Sequence, residues 1–323
     1  MNPWSWMEVW ACSELQGFHS GASTAQQLHM LFMKYGPSPG LIYALARDPE
    51  RIDRHEHGLR FAMKWLSLTD INHLAYTDGK FSDNRPLETI SRWLYVLRRK
   101  DPQTPQVYAH DVQSPYLMDI ILEHFHQSIP DIAERLYHSF RALSPVSTCI
   151  GILFEKCSHL VLARINHDPK PFAITPMLEG GTTYCKSAQR LEWSYSMDDS
   201  PQAVTESFRG TYRNLHKYES VQDLPPLDNA GFYIPGYSNH PTFSSFAVDG
   251  TTLYVFQATV APVHDVQGSG LEELGRFVAG SQITGPWKFV FVIPSGNMLE
   301  CHVPAVWKDR LSLYTLYLDD IDG

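Results

Sequence analysis

Ser244, Gln257 and Thr259 are the residues whose types and spacing best suit a reaction centre. Thirteen residues separate Ser244 from Gln257, the reach of one strand, a tight turn and a returning strand. Asp249-Gly250 supplies the turn, with Phe246, Ala247 and Val248 before it and Leu253 to Phe256 after it. Gln257 and Thr259, two residues apart, project from one face of the second strand. Metal-assisted phosphodiester hydrolysis uses such a frame, with carboxylates on neighbouring strands holding Mg²⁺ and a lysine positioning the attacking water. Here the three places hold a hydroxyl, a neutral amide and a second hydroxyl. Asp249 belongs to the turn at the far end of the strands. Glu155, on a helical segment upstream, is the one carboxylate able to join the group, which leaves Glu155 and Gln257 as a weak Mg²⁺ pair. His264, five residues after Thr259, is a further candidate. Against the catalytic interpretation, Gln257 and Thr259 also suit the exposed face of an edge strand. His264 equally suits a surface histidine oriented by Asp265.

Other chemistry-bearing letters are less well placed. In Glu123-His124-Phe125-His126 the two histidines stand two apart on a helix and point to different faces, and His55 and His57 share that problem. No Gly-x-Ser-x-Gly elbow, His-Glu-x-x-His helix or glycine-rich dinucleotide loop occurs. The five cysteines are widely spaced with no Cys-x-x-Cys pair, as expected of buried thiols in a reducing compartment. A formal net charge of -9 argues against broad attraction to nucleic acid, although a local basic groove stays compatible with it. The first ten residues have neither a positive start nor a long apolar run, so the sequence alone suggests an intracellular protein without a membrane span. Arg98-Arg99-Lys100 is a dense basic triplet that suits a solvated helix end.

The elements that must position these residues fall into two groups. From residue 4 to about 144 the pattern is helical: residues 23–34 carry Ala25, Leu28, Leu31 and Phe32 at three- and four-residue spacing, and Gly36-Pro37-Ser38-Pro39-Gly40 breaks the run. Residues 41–47, 85–99, 114–127 and 130–143 are expected as further helices, with Leu94 and Leu97 packing against Leu28, Leu31 and Phe32. After Pro145 strands dominate. A helix over 148–156 precedes strand-like segments at 159–165, 172–176 and 180–196, and a helix is possible at 204–215. The hairpin, a helix over 270–279 and a strand over 287–293 complete the pattern. The expected fold is α+β or α/β: a helical domain over 1–145 and a mixed sheet flanked by helices over 146–323.

Phe154-Glu155, residues 233–245 with Asn239-His240-Pro241-Thr242-Phe243 at their centre, and Phe256-Gln257-Ala258-Thr259 together resemble a known family. His264, Gly270-Leu271 and residues 289–294 extend the likeness. The pattern is similar to the carboxyl-terminal half of the Crinkler and retrotransposon-hot-spot (RHS) proteins of fungi and oomycetes. That resemblance implies a restriction-endonuclease-like (PD-(D/E)xK-type) domain at 146–323. Trp4-Ser5-Trp6 with Tyr35-Gly36-Pro37-Ser38-Pro39 is similar to the helical lid of the family's NTPase module, so 1–145 resembles a lid without its nucleotide-binding core.

Three departures shape what the resemblance implies. There is no Gly-x-x-x-x-Gly-Lys-Ser/Thr loop, so ATP is not expected as a ligand. Gly40 stands where the family pattern has an arginine, and Ser244 where it has an acidic ligand. The nuclease site is therefore expected to be degenerate, with a possible Mg²⁺ as its sole cofactor. The implied role is that of an effector or regulator that binds nucleic acid or a protein partner in the nucleus or cytoplasm. A weakly active Mg²⁺-dependent nuclease and a regulator pairing with an intact family member are the alternatives.

Overall fold

A computed structural model describes residues 4–18, 21–67, 69–70, 95–99, 108–126, 132–141, 148–163, 171–185, 190–197, 206–208, 214–220, 223–229, 231–236 and 242–318. The chain divides into two compact units, residues 1–152 and 153–323. No helix among the described residues is long and apolar enough to cross a membrane.

Helices build most of the first unit. α1 (Trp6–Ser13) starts at a capping box in which Ser5 Oγ accepts from the Glu8 amide and the Glu8 carboxylate accepts from the Ser5 amide. α2 (Ala22–Tyr35), α3 (Pro39–Arg47) and α4 (Glu50–Met63) follow. Leu28, Leu31 and Tyr35 form the apolar face of α2 and are buried with Val9 of α1 and Ile42, Tyr43 and Leu45 of α3, while Phe32 packs at the margin. Leu94, expected in the same cluster, lies outside the described residues. Leu97 is not helical. The helix expected over 85–99 gives way, at its end, to β1 (Tyr95–Arg99), which pairs antiparallel with β2 (Tyr108–Val112). Tyr95 and Val96 suit a strand, and the pairing partner that decides the matter lies outside the window a periodicity can read. α5 (Pro115–His126) and α6 (Ile132–Arg141) stand where helices were expected.

The second unit is organised by one large, curled mixed sheet. α7 (Thr148–Leu162) extends through residues expected as a strand, because Ile152, Glu155, His159 and Leu162 continue a buried stripe at three- and four-residue spacing. The strands are β3 (Phe172–Cys185), β4 (Arg190–Met197), β5 (Glu206–Phe208), β6 (Asn214–Tyr218), β7 (Gly231–Pro235), β8 (Ser245–Asp249), β9 (Thr252–Ala258), β10 (Val263–Asp265), β11 (Trp287–Pro294), β12 (Glu300–Pro304) and β13 (Leu311–Leu318). The helix considered at 204–215 is replaced at its described positions by β5 and the start of β6. Strand order is β10-β12-β4-β3-β13-β11-β9-β8-β7-β6, with β5 paired to β3. The β8–β9 hairpin forms as the Asp249-Gly250 signal requires, with Asp249 opposite Thr252 and Gly250 at φ 59°. From β9 the chain passes through β10 and α8 (Gly268–Val278) to β11, which pairs parallel with β9, and β13 pairs parallel with β11.

Side-chain alternation divides the two faces of β9. Leu253 and Val255 join Phe246, Phe289 and Phe291 in a core that includes Leu271, Leu274 and Val278 of α8. Tyr254 and Phe256 project the other way, where Phe256 meets Phe208 at 5.3 Å and Phe232 at 6.0 Å. Both faces are covered, so β9 and β11 are nearly continuous apolar runs.

Backbone demand in the first unit is sharpest at Gly36, between α2 and α3. Its φ of 81° and ψ of -168° lie in a region essentially closed to other residues. A Cβ there would stand 2.6 Å from the Gln113 Cβ and 2.7 Å from the Gln113 carbonyl oxygen. The close approach is fastened by Ser38 Oγ, which donates to Gln113 Oε1 at 3.0 Å, and by Ser114 Oγ, which donates to the Lys34 carbonyl. Gly36→Ala should therefore lower the unfolding free energy in urea by at least about 1–3 kcal/mol. Gly40→Ala, in the first turn of α3 with open space around it, should be neutral or stabilising by up to roughly 1 kcal/mol.

Candidate functional site

The polar residues of interest gather where β8 begins and β9 ends. The regular β8–β9 ladder stops at the pair Ser245 and Phe256. Beyond it the Ser244 amide donates to the Phe256 carbonyl at 2.7 Å, and Ser244 Oγ accepts from the Ala258 amide at 3.1 Å. The hydroxyl thus takes the place of a main-chain carbonyl and carries the ladder one step further. Ser244 is buried, 2% exposed, and its oxygen is committed to the backbone.

Thr259 is committed in the same way. Its amide donates to the Val292 carbonyl at 3.0 Å, and its Oγ1 accepts from the Ala261 amide at 3.1 Å. Gln257 Nε2 donates to the neighbouring Ala258 carbonyl at 3.1 Å, whereas Gln257 Oε1 is buried without a partner. Glu155 is buried on α7, one helical turn before His159.

The sheet separates these residues. Gln257 follows Phe256, so it projects to the opposite face, beside its register partner Phe291. His264, on β10, meets the same Phe291 ring edge-on at 5.9 Å. Burial lowers the His264 pKa, and Asp265 opposes the shift. Gln257 and His264 therefore share the α8 face. On the other face His159 sits against Phe232, with ring centroids 6.4 Å apart, and hydrogen-bonds the Ser244 backbone. Among the described residues no three His, Cys, Asp or Glu side chains come together as a metal-ligand set.

His159 and Ser245 are the residues that sequence reasoning missed. His159 Nε2 and Ser245 Oγ are buried with no hydrogen-bond partner, and each such group costs about 1–3 kcal/mol. The available signal was the i,i+4 spacing of Glu155 and His159, visible only once α7 is carried beyond residue 156. A second polar group lies on the Phe256 face toward the start of β9. Lys288 of β11 is ion-paired with Glu206 of β5, and Tyr314 of β13 donates to the other Glu206 oxygen at 2.7 Å. Lys288 lies 5.5 Å from the ring centroids of both Tyr254 and Tyr314. The Lys288 hydrogen bond is the main reason the Glu206 pKa is lowered.

Comparison with protein-family models, curated proteins and solved structures gives no match for this chain. What can be said of the site rests on its own geometry.

That geometry makes His159 sensitive to acid. Burial, reinforced by the Lys156 charge, pushes its pKa down to about 3 against the bond to the Ser244 backbone. A histidine depressed on folding takes up its proton preferentially in the unfolded chain, so its stabilising effect is complete above pH 6.5 and is lost as pH falls toward 3. Urea unfolding of the wild type should show stability falling by about 1.4 kcal/mol per pH unit through this window from His159 alone. In His159→Leu that one-proton component should vanish, and an unchanged pH slope would show that His159 is not buried as described.

Proposed function

We propose that the second unit is a restriction-endonuclease-like domain of the Crinkler and RHS type that acts by binding a protein partner and does not cut nucleic acid. What supports this is that, after α7 and the intervening strands β3 to β6, the β7–β8–β9 meander is followed by β10, α8 and then β11 parallel to β9. The observation that carries the binding role is the use of Ser244 Oγ and Thr259 Oγ1 as acceptors of main-chain amides, which leaves Gln257 Oε1 as a lone neutral oxygen on the α8 face. Groups already used by the backbone are poorly placed to strip water from a strongly hydrated ion, and Gln257 stands on the face away from His159. Mg²⁺ does not fit the residues present.

Charge bears on the choice of partner. Residues 153–323 hold 19 of the 35 acidic residues but only 12 of the 26 basic ones. A surface of that sign repels phosphate backbones, whose binding depends on lysine and arginine displacing counterions. A protein partner is the better match.

Two measurements check this reading. Wild type and Glu155→Ala should give the same background cleavage of DNA and RNA in Mg²⁺ and in EDTA, and Mg²⁺-dependent wild-type cleavage lost in Glu155→Ala would refute it. Ser244→Ala should cost about 1–3 kcal/mol in urea unfolding, because the buried Ala258 amide loses its acceptor. A variant as stable as the wild type would show that Ser244 does not serve the ladder.

A further inference from the structure

We propose that the carboxyl-terminal end of α4, with the facing turn of α5, binds single-stranded nucleic acid. The site belongs to the first unit, goes beyond the function proposed above and is independent of it.

Phe61 and Trp65 are 54% and 69% exposed and stack edge-on, with ring centroids 6.4 Å apart. Neighbouring large aromatics rarely stay uncovered on a water-soluble surface without a use. One residue earlier at each step, Arg60 and Lys64 form the adjacent stripe of the same helical turns. With Met63 of α4 and Ile120, Glu123 and His124 of α5 they line a recess of about 210 Å³. Met63 and Ile120 are buried and form an apolar floor, while Arg60, Lys64 and His124 bring nitrogen groups to the rim.

The charges favour an anionic ligand. Glu123 is the carboxylate of the lining, and it pairs with Arg60 at 2.8 Å with both side chains more than half exposed. An exposed pair of this kind contributes little and yields to a competing phosphate. Among the described residues no carboxylate pairs with Lys64. The first unit is also closer to charge balance than the second, with 14 of the 26 basic and 16 of the 35 acidic residues.

A flat exposed ring next to Lys64 and the weakly held Arg60 matches the two parts of a nucleotide, a stacking base and a phosphate. Sequence preference is not expected, since every base offers a π face. A double helix hides those faces, so the geometry selects single strands. The recess is smaller than a typical small-molecule pocket, which fits one ring-sized group held as part of a longer strand.

The experiment is fluorescence anisotropy of the full chain with a short labelled oligothymidylate, its duplex with oligoadenylate, and unlabelled thymidine monophosphate as competitor. Wild type should bind the single strand in preference to the duplex, more weakly as salt rises, and the monophosphate should compete poorly. Trp65→Ala should weaken binding roughly ten-fold or more. Lys64→Glu should weaken it and reduce the slope of log affinity against log salt by about 0.7. Both side chains are exposed, and unchanged circular dichroism and melting should confirm that each variant folds. The proposal is overturned if the wild type fails to bind, if both variants bind as the wild type does, if the duplex is preferred, or if the monophosphate competes as well as the strand.

Discussion

The parallel pairing of β9 with β11 is the constraint on which the second unit is built. Two parallel neighbours cannot be joined by a tight turn, so the chain must cross a face of the sheet, and α8 provides that crossing. The crossing covers Leu253, Val255, Phe289 and Phe291 with Leu271, Leu274 and Val278. Phe208 and Phe232 cover Phe256 on the opposite face. A strand covered on both faces has no solvent-facing side, so any polar residue within it must find a partner or remain costly. Ser244 and Thr259 find partners in the backbone, whereas Gln257 is half satisfied.

This constraint also bears on which side chains the positions of Ser244 and Thr259 accept. A carboxylate at Ser244 and a lysine at Thr259 would add charge where the present side chains serve main-chain amides. With neutral groups in those places, Ser244 and Thr259 accept main-chain amides. The buried Nε2 of His159 and Oγ of Ser245 remain unsatisfied nearby, so this corner of the sheet is not optimised for stability alone.

Local signals in the sequence were legible where they were self-sufficient. Asp249-Gly250 defines its hairpin because the turn chemistry and the flanking alternation agree. Leu28 and Leu31 mark the buried face of α2 by spacing alone, whereas Tyr35, just past the expected run, completes it and Phe32 packs at the margin. α4 is less visible because its apolar positions, Ile52, Leu59 and Met63, are scattered among charged residues that suit a solvated segment equally well. β1 was hidden because strandedness at Tyr95 depends on Val112 opposite it. The candidate site was legible as a set of positions but not as an arrangement. His159, which was not among those positions, stands on the face opposite Gln257, and that follows from the full length of α7 and from the rings around Phe256.

The β3–β13 pairing has a consequence for how the chain reaches this fold. Thr175 and Thr315 are register partners 140 residues apart. During synthesis β3 and β4 can form their antiparallel pair early, yet the partner for the other edge of β3 emerges much later. Until then an apolar strand edge stands open in a growing chain, a condition that favours slow closure and invites misassociation with other nascent chains. β5, a three-residue strand, also pairs with β3, and the anchor of its Glu206 to Lys288 and Tyr314 likewise arrives only with β11 and β13.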